Sequence, residues 1–229
     1  MLMEYLPGSS LEYQTQWRYA AAVFAEIHRT ALPAEEGPAR LIIQKEPISD
    51  IAAESLGLIR RFPDHPLSAE KNLLLTYHDR IVNLAEMYET EFSRGYQCIV
   101  NTEVNSGNFL IDEPDAYLVD WEKGVVSSPF QDLGHFLVET STRWKGGYVF
   151  SEEEKEDFLK EYLARSVLDM DLETARGMTG IMEKTILLRA LSWCYMAWYE
   201  YNCTDRNLSG SGTAGVINRY LQEIEWFLR

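Results

Sequence analysis

Glu103, Asn108 and Asp120 carry oxygen-bearing side chains that the residues around them should force together. They lie in the stretch Cys98 to Glu122, which reads as strand, tight polar loop, strand, turn, strand. Cys98-Ile99-Val100 is a short apolar run, and Asn101 to Gly107 is a loop of small and polar residues. Phe109-Leu110-Ile111 and Tyr117-Leu118-Val119 are apolar triplets joined by Asp112-Glu113-Pro114-Asp115, a turn composition. A hairpin sets the beginning of its first strand beside the end of its second, so Asn108 and Asp120 should leave the ladder at the same end. An amide oxygen and a carboxylate at that point suit a hard, oxygen-preferring cation such as Mg²⁺. Glu103, five residues before Asn108, falls in the loop beside them.

An acid, four residues, an Asn and then a hairpin ending in Asp is the layout of a kinase catalytic loop and its metal-binding Asp. The flanking residues resemble the aminoglycoside phosphotransferase and choline kinase family, whose pattern runs roughly HGDxxxxN, then DWE, then DLA. This chain has Asn101-Thr102-Glu103, Asn108, Asp120-Trp121-Glu122 and Asp132-Leu133-Gly134 in that order. The resemblance implies a catalytic role for Glu103 and Mg²⁺ ligation by Asn108 and Asp120. It makes Asp132 a structural acid that hydrogen-bonds the backbone of the catalytic loop. ATP or another nucleoside triphosphate is the implied cofactor, with a small-molecule hydroxyl as acceptor. The chain departs from the pattern at Asn101 and Thr102, where the family has His and Gly, and at Glu103, where it has Asp. A carboxylate displaced by about 1 Å costs on the order of 100-fold in rate. A general base as a whole supplies roughly 100- to 10,000-fold.

Met3-Glu4-Tyr5-Leu6-Pro7-Gly8 resembles the hinge between the two lobes of the same family. In such kinases the Gly-rich loop, the phosphate-binding Lys and its Glu partner precede the hinge. Residues 1–8 are then a hinge remnant, with Glu4 and Tyr5 at the nucleotide, and residues 9–229 are a single kinase-like large lobe. The implied fold class is α+β and mainly helical: a protein-kinase-like C-terminal lobe with a catalytic-loop β-hairpin and no N-terminal lobe. An exposed apolar or strand-edge surface is expected near Met1 to Pro7. The implied protein is an ATP-dependent phosphotransferase with negligible turnover as this chain alone, its small lobe truncated, separately encoded or donated by a partner chain. The alternative is a non-catalytic, pseudokinase-like binding module.

The elements that must position these residues are mostly helices. Ser9-Ser10-Leu11-Glu12 fits a capping box, with Tyr13, Trp17, Ala20, Phe24 and Ile27 at helical spacing to about Leu32. His28 on that helix reads as a core histidine. Pro33 to Pro47 is a connector with one apolar run, Leu41-Ile42-Ile43, and a short helix follows from Ser49-Asp50 to about Phe62. Ser68 to Arg94 is a longer helix stopped by Gly95. Asp132 opens a helix of roughly Phe130 to Arg143, where the dipole favours an acid. Ser151-Glu152-Glu153-Glu154 caps another to about Ser166. Leu172 to Asn202 holds one or two helices, with Gly177 and Gly180 as break points and a buried stripe that includes Cys194, Ala197 and Tyr201. The last helix runs from about Thr213 to Leu228. Gly210 to Gly215 matches G-x-G-x-x-G, but no strand precedes it, so it reads as a flexible linker.

The totals set outer limits. A chain of 229 residues with 46% hydrophobic and 25% charged residues can bury a sizeable core. A formal charge of −15 leaves no basic surface for nucleic acid. It keeps the protein soluble and would favour a cationic substrate such as an amino sugar or amino alcohol. The cysteines show no metal or redox spacing, and no apolar run is long enough to cross a membrane, which implies a reduced cytoplasm.

Overall fold

Glycine at position 8 decides how the chain enters the fold. Its φ is +121°, and a Cβ there would lie 2.7 Å from the carbonyl oxygen of Ile111. The chain thereby lies down as a short strand β1 (Ser9–Ser10), antiparallel to Ile111 and Leu110. This corrects the expected capping box: the serines serve a strand, and the first helix α1 (Tyr13–His28) starts later. Gln16 Oε1 accepts the Glu12 N–H at 3.0 Å and satisfies one of the free donors of its first turn. The structure is a computed structural model that describes residues 5–30, 32, 41–204 and 211–229.

Next come β2 (Ile42–Ile43), α2 (Pro47–Arg60) and α3 (Ser68–Arg94). Proline at the start of α2 costs nothing, because its missing N–H would have had no helical partner. The segment that holds the candidate site contains β3 (Cys98–Val100), a 3₁₀ turn at Ser106–Asn108, β4 (Phe109–Asp112) and β5 (Asp115–Leu118). The strands β4 and β5 pair from Phe109↔Leu118 to Asp112↔Asp115, which is the expected hairpin. A further strand β6 (Val125–Ser127), not expected from the sequence, pairs antiparallel with β3 and parallel with β2. The two sheets therefore run β1-β4-β5 and β2-β6-β3.

Helices make up most of the remainder. The segment expected as one helix from Phe130 is two, α4 (Phe130–Leu137) and α5 (Glu139–Lys145), because Val138 leaves the helical region with ψ 135°. Helix α6 (Glu152–Arg165) has the expected capping box: Ser151 Oγ accepts the Glu154 N–H at 3.2 Å, and Glu154 Oε2 accepts that of Ser151 at 2.7 Å. Helix α7 (Leu172–Cys203) runs unbroken through Gly177 and Gly180. Their cost of about 1 kcal/mol each is outweighed over so long a packed helix. The chain ends in α8 (Ser211–Gln222) and α9 (Ile224–Phe227). Gly212 and Gly215 lie inside α8, which corrects the linker reading for that part of the motif; Gly210 lies outside the described residues. Buried Ile217, Tyr220 and Leu221 give this helix the apolar face that outweighs its glycines.

Contacts divide the chain into two compact units, Met1–Lys45 with Phe92–Glu183, and Glu46–Glu91 with Lys184–Arg229. The first is built on an aromatic core around Phe136, which is fully buried. Its ring centroid lies 5.1 Å from Phe158, 5.3 Å from Tyr13 and 5.6 Å from Phe109. Phe109 begins β4 and Phe136 lies in α4, so this core ties the hairpin to the helix that carries Asp132. In the second unit the Glu89 carboxylate caps α2, accepting from Ile48 N at 3.1 Å and Ser49 N at 2.8 Å. His65 stacks on Tyr195 at 3.6 Å and Phe62 on Tyr199 at 4.2 Å. Both pairs lie nearly parallel, with 14° and 16° between ring planes.

Candidate functional site

The loop after β3 is held from below by one acid. Asp132 is fully buried at the start of α4. Its carboxylate accepts the Asn101 N–H at 2.9 Å and the Thr102 N–H at 2.9 Å. A third neighbour, His28, places Nε2 3.4 Å from Oδ2. With a hydrogen on Nε2, the other ring nitrogen of His28 accepts from the Tyr162 hydroxyl at 2.9 Å. Burial, then the neighbouring Cys98 and Asp132, push the Tyr162 phenol upward, so it stays protonated and able to donate. His28 is thus a satisfied core histidine that orients Asp132.

Asn101, where the family pattern has His, uses its amide to stitch the loop together. Its Nδ2 donates to the Asp120 carbonyl at 2.8 Å, and its Oδ1 accepts the Glu103 N–H at 3.2 Å. Thr102, where the pattern has Gly, adopts φ +70°. That is a left-handed conformation that a β-branched residue rarely takes and that suits glycine. Two hydrogen bonds and burial hold it there besides Asp132's grip on its N–H. Its carbonyl accepts from His135 Nδ1 at 2.6 Å, its Oγ1 donates to the Lys123 carbonyl at 3.2 Å, and its side chain is buried.

This conformation carries a prediction. Thr102→Val and Thr102→Gly both lose the hydroxyl bond, but only glycine relieves a strain of about 1–2 kcal/mol. Glycine gives back part of that, about 0.5–1 kcal/mol, as chain entropy. Thr102→Gly should therefore be more stable than the nearly isosteric Thr102→Val by about 1 kcal/mol, read as an upward shift in urea midpoint.

The end of the hairpin places the other candidates. The Asn108 carbonyl accepts the Val119 N–H at 2.8 Å, which closes the ladder immediately before Asp120. Asn108 Nδ2 donates to the Glu103 carbonyl at 2.9 Å, so its Oδ1 is the atom left to bind a ligand. Asp120 has φ +64°, a conformation Asp tolerates, and its side chain is exposed. The Glu103 carboxylate meets Lys123, with Oε1 and Nζ 2.5 Å apart. Exposed as both are, the pair contributes only about 0–1 kcal/mol.

The structure thus brings Glu103, Asn108 and Asp120 to one loop and one hairpin end, with Asp132 beneath them. Among the described residues no three His, Cys, Asp or Glu side chains stand where they could hold a metal. An amide oxygen and one carboxylate still fit Mg²⁺, which takes one or two protein carboxylates and fills its octahedron with water and substrate phosphate. Glu4 lies outside the described residues, and Tyr5 is 86% exposed. His135 and Lys123 carry no sequence signal beyond their residue types, because each meets the loop across a long stretch of chain: 33 residues from His135 to the Thr102 carbonyl and 20 from Lys123 to Glu103.

This fold is similar to that of solved choline and ethanolamine kinases and aminoglycoside phosphotransferases. The ethanolamine kinase of Plasmodium vivax superposes with a TM-score of 0.59 at 13% identity, over 96% of this chain and 62% of that one. A choline/ethanolamine kinase family protein from Mesorhizobium loti gives 0.55 at 17% identity, over 93% and 64%. Spectinomycin phosphotransferase, solved with ADP and spectinomycin, gives 0.54 at 16% identity, over 96% and 65%. The chain thus spans less than two thirds of the length of these structures. The sequence model of the phosphotransferase enzyme family matches residues 1–172, and the chain belongs to that family. No curated protein sequence matches it. No helix among the described residues is long and apolar enough to cross a membrane.

Proposed function

We propose that the chain carries the catalytic loop and metal site of an ATP-dependent phosphotransferase acting on a small-molecule hydroxyl. The observation that carries the reading is the closed end of the hairpin, where Asn108 and Asp120 stand together over the loop that Asp132 pins. Both would hold Mg²⁺ through oxygen. Bound there with a nucleotide, the cation would neutralise the phosphate charge that builds up during transfer. Phosphoryl transfer forms a bond from the acceptor oxygen to phosphorus and breaks that from phosphorus to the bridging oxygen. Glu103 takes the acceptor's proton. The ADP held by solved members of the fold supports the nucleotide, and the Glu4–Tyr5 segment is its proposed neighbour. The net charge of −15 favours a cationic acceptor such as an amino alcohol or amino sugar.

A non-catalytic binding module is the second reading, and the observation favouring it is Glu103 itself, longer than Asp and paired with Lys123. The substitution Glu103→Asp separates the two. Transfer from Mg-ATP to choline, ethanolamine or an aminoglycoside, followed by phosphorus NMR, should be negligible in the wild-type chain. In Glu103→Asp it should rise by on the order of 100-fold, because the shorter side chain restores the reach the loop was built for. Intact nucleotide binding with no gain in transfer would favour the binding module.

A further inference from the structure

The mechanism above leaves Lys123 unused, although its ammonium sits directly on the candidate base. Its Nζ is 2.5 Å from Glu103 Oε1, with side-chain exposures of 57% and 44%. The backbone beneath it is fixed: its carbonyl accepts from Thr102 Oγ1 at 3.2 Å, and the Gly124 N–H closes a turn on the Trp121 carbonyl at 3.2 Å. Asp120 lies immediately before this turn. One short segment therefore presents the metal ligand and a long, flexible cation, and the pinned loop beside it presents the acid.

The charges in this region decide what the lysine is for. Glu103, Asp120 and Glu122 are all acidic, and the whole chain carries −15. A polyanionic phosphate approaching them is repelled unless cations at the site offset that repulsion. Mg²⁺ is one such cation. An ion pair so exposed is weakly held, and a terminal phosphoryl group is a stronger competitor for an ammonium than one carboxylate is.

The geometry points to Lys123 as a further binding residue of the site, one that gives up the Glu103 carboxylate for an oxygen of the terminal phosphoryl group of a nucleoside triphosphate. This rests on the phosphotransferase reading of the site and deepens it. The exchange neutralises the arriving phosphate and frees Glu103 for the acceptor hydroxyl in the same movement. The resting ion pair keeps the base occupied until a triphosphate is present.

Calorimetric titration of Mg-ATP and Mg-ADP into the wild-type chain, Lys123→Gln, Lys123→Arg, Glu103→Gln and the double variant Glu103→Gln/Lys123→Gln tests this. Lys123→Gln should weaken ATP by about tenfold and ADP by less than about twofold, with Lys123→Arg close to wild type. Glu103→Gln should tighten ATP several-fold by releasing the lysine, and the double variant should show none of that gain. The inference is overturned, with the site reading intact, if the wild type binds ATP and Lys123→Gln binds it equally well. Equal weakening of ATP and ADP, or a Glu103→Gln gain that survives without the lysine, overturns it too. A wild-type chain that binds neither nucleotide removes the phosphotransferase reading and this inference with it, before any lysine variant is compared.

Discussion

Asp132→Ala should destabilise the protein by about 3–5 kcal/mol, the cost of removing one partner from a buried hydrogen-bonded charge site. The carboxylate is fully buried and accepts from two backbone N–H groups, with His28 as a third neighbour. Alanine leaves those donors buried without partners, each costing about 1–3 kcal/mol. It also removes one of the contacts that hold Thr102 in its left-handed conformation. Against a typical total of about 5–15 kcal/mol, such a loss takes away much of the stability of the fold. Asp132→Asn keeps one carbonyl acceptor and should cost less than half as much. Urea denaturation followed by circular dichroism ranks the three proteins as wild type, Asn, Ala. A structural acid at this position that proved silent would mean that the loop is held by something else.

Asp120→Asn should abolish the magnesium-dependent part of nucleotide binding while leaving the fold unchanged. Asparagine is the right substitution because it tolerates the φ of +64° that alanine would not. It removes one negative charge and keeps an oxygen at nearly the same place. Wild type in Mg²⁺ should bind ATP at least about tenfold more tightly than in chelator, a difference of about 1.4 kcal/mol. The variant should show the same weak affinity in both. Thermal unfolding of the two apo proteins should coincide, since an exposed side chain away from any packing contributes within about 0.5 kcal/mol.

Some of this was written in local composition. The hairpin was legible because Asp112-Glu113-Pro114-Asp115 is a turn between two apolar runs, and its register follows from the turn. The capping box at Ser151 was legible for the same reason, each partner lying within one helical turn. The side chains behind Asp132 were not. His28 meets Asp132 across 104 residues of chain and Tyr162 across 134, and nothing local marks such pairs. Strands β2 and β6 have two and three residues, too short for a period to show. The break at Val138 falls at a residue with no turn signature. Ser9 and Ser10 misled because a cap and an edge strand both accept serine, and only the contact of Gly8 with Ile111 decides between them.

The departure from Gly at Thr102 is the residue-level lesson. A substitution that reads as damage in the sequence is accommodated in the structure by a buried acid, a histidine and a hydroxyl bond. Gly134 shows the opposite case. The family pattern has Ala there, but a Cβ at Gly134 would lie 2.7 Å from that of Met182 in α7. The two helices approach more closely than the pattern allows for, and glycine makes the room.

Manganese reports most directly whether Asn108 and Asp120 share a divalent cation. Sub-stoichiometric Mn²⁺, added with ATP to the ¹⁵N-labelled chain, should bleach the backbone resonances of Asn108, Val119 and Asp120 first and spare the acidic helix α6. Bleaching spread over the acidic surface, or confined to other carboxylates while Asp120 stays sharp, would contradict the metal site and the phosphotransferase chemistry built on it.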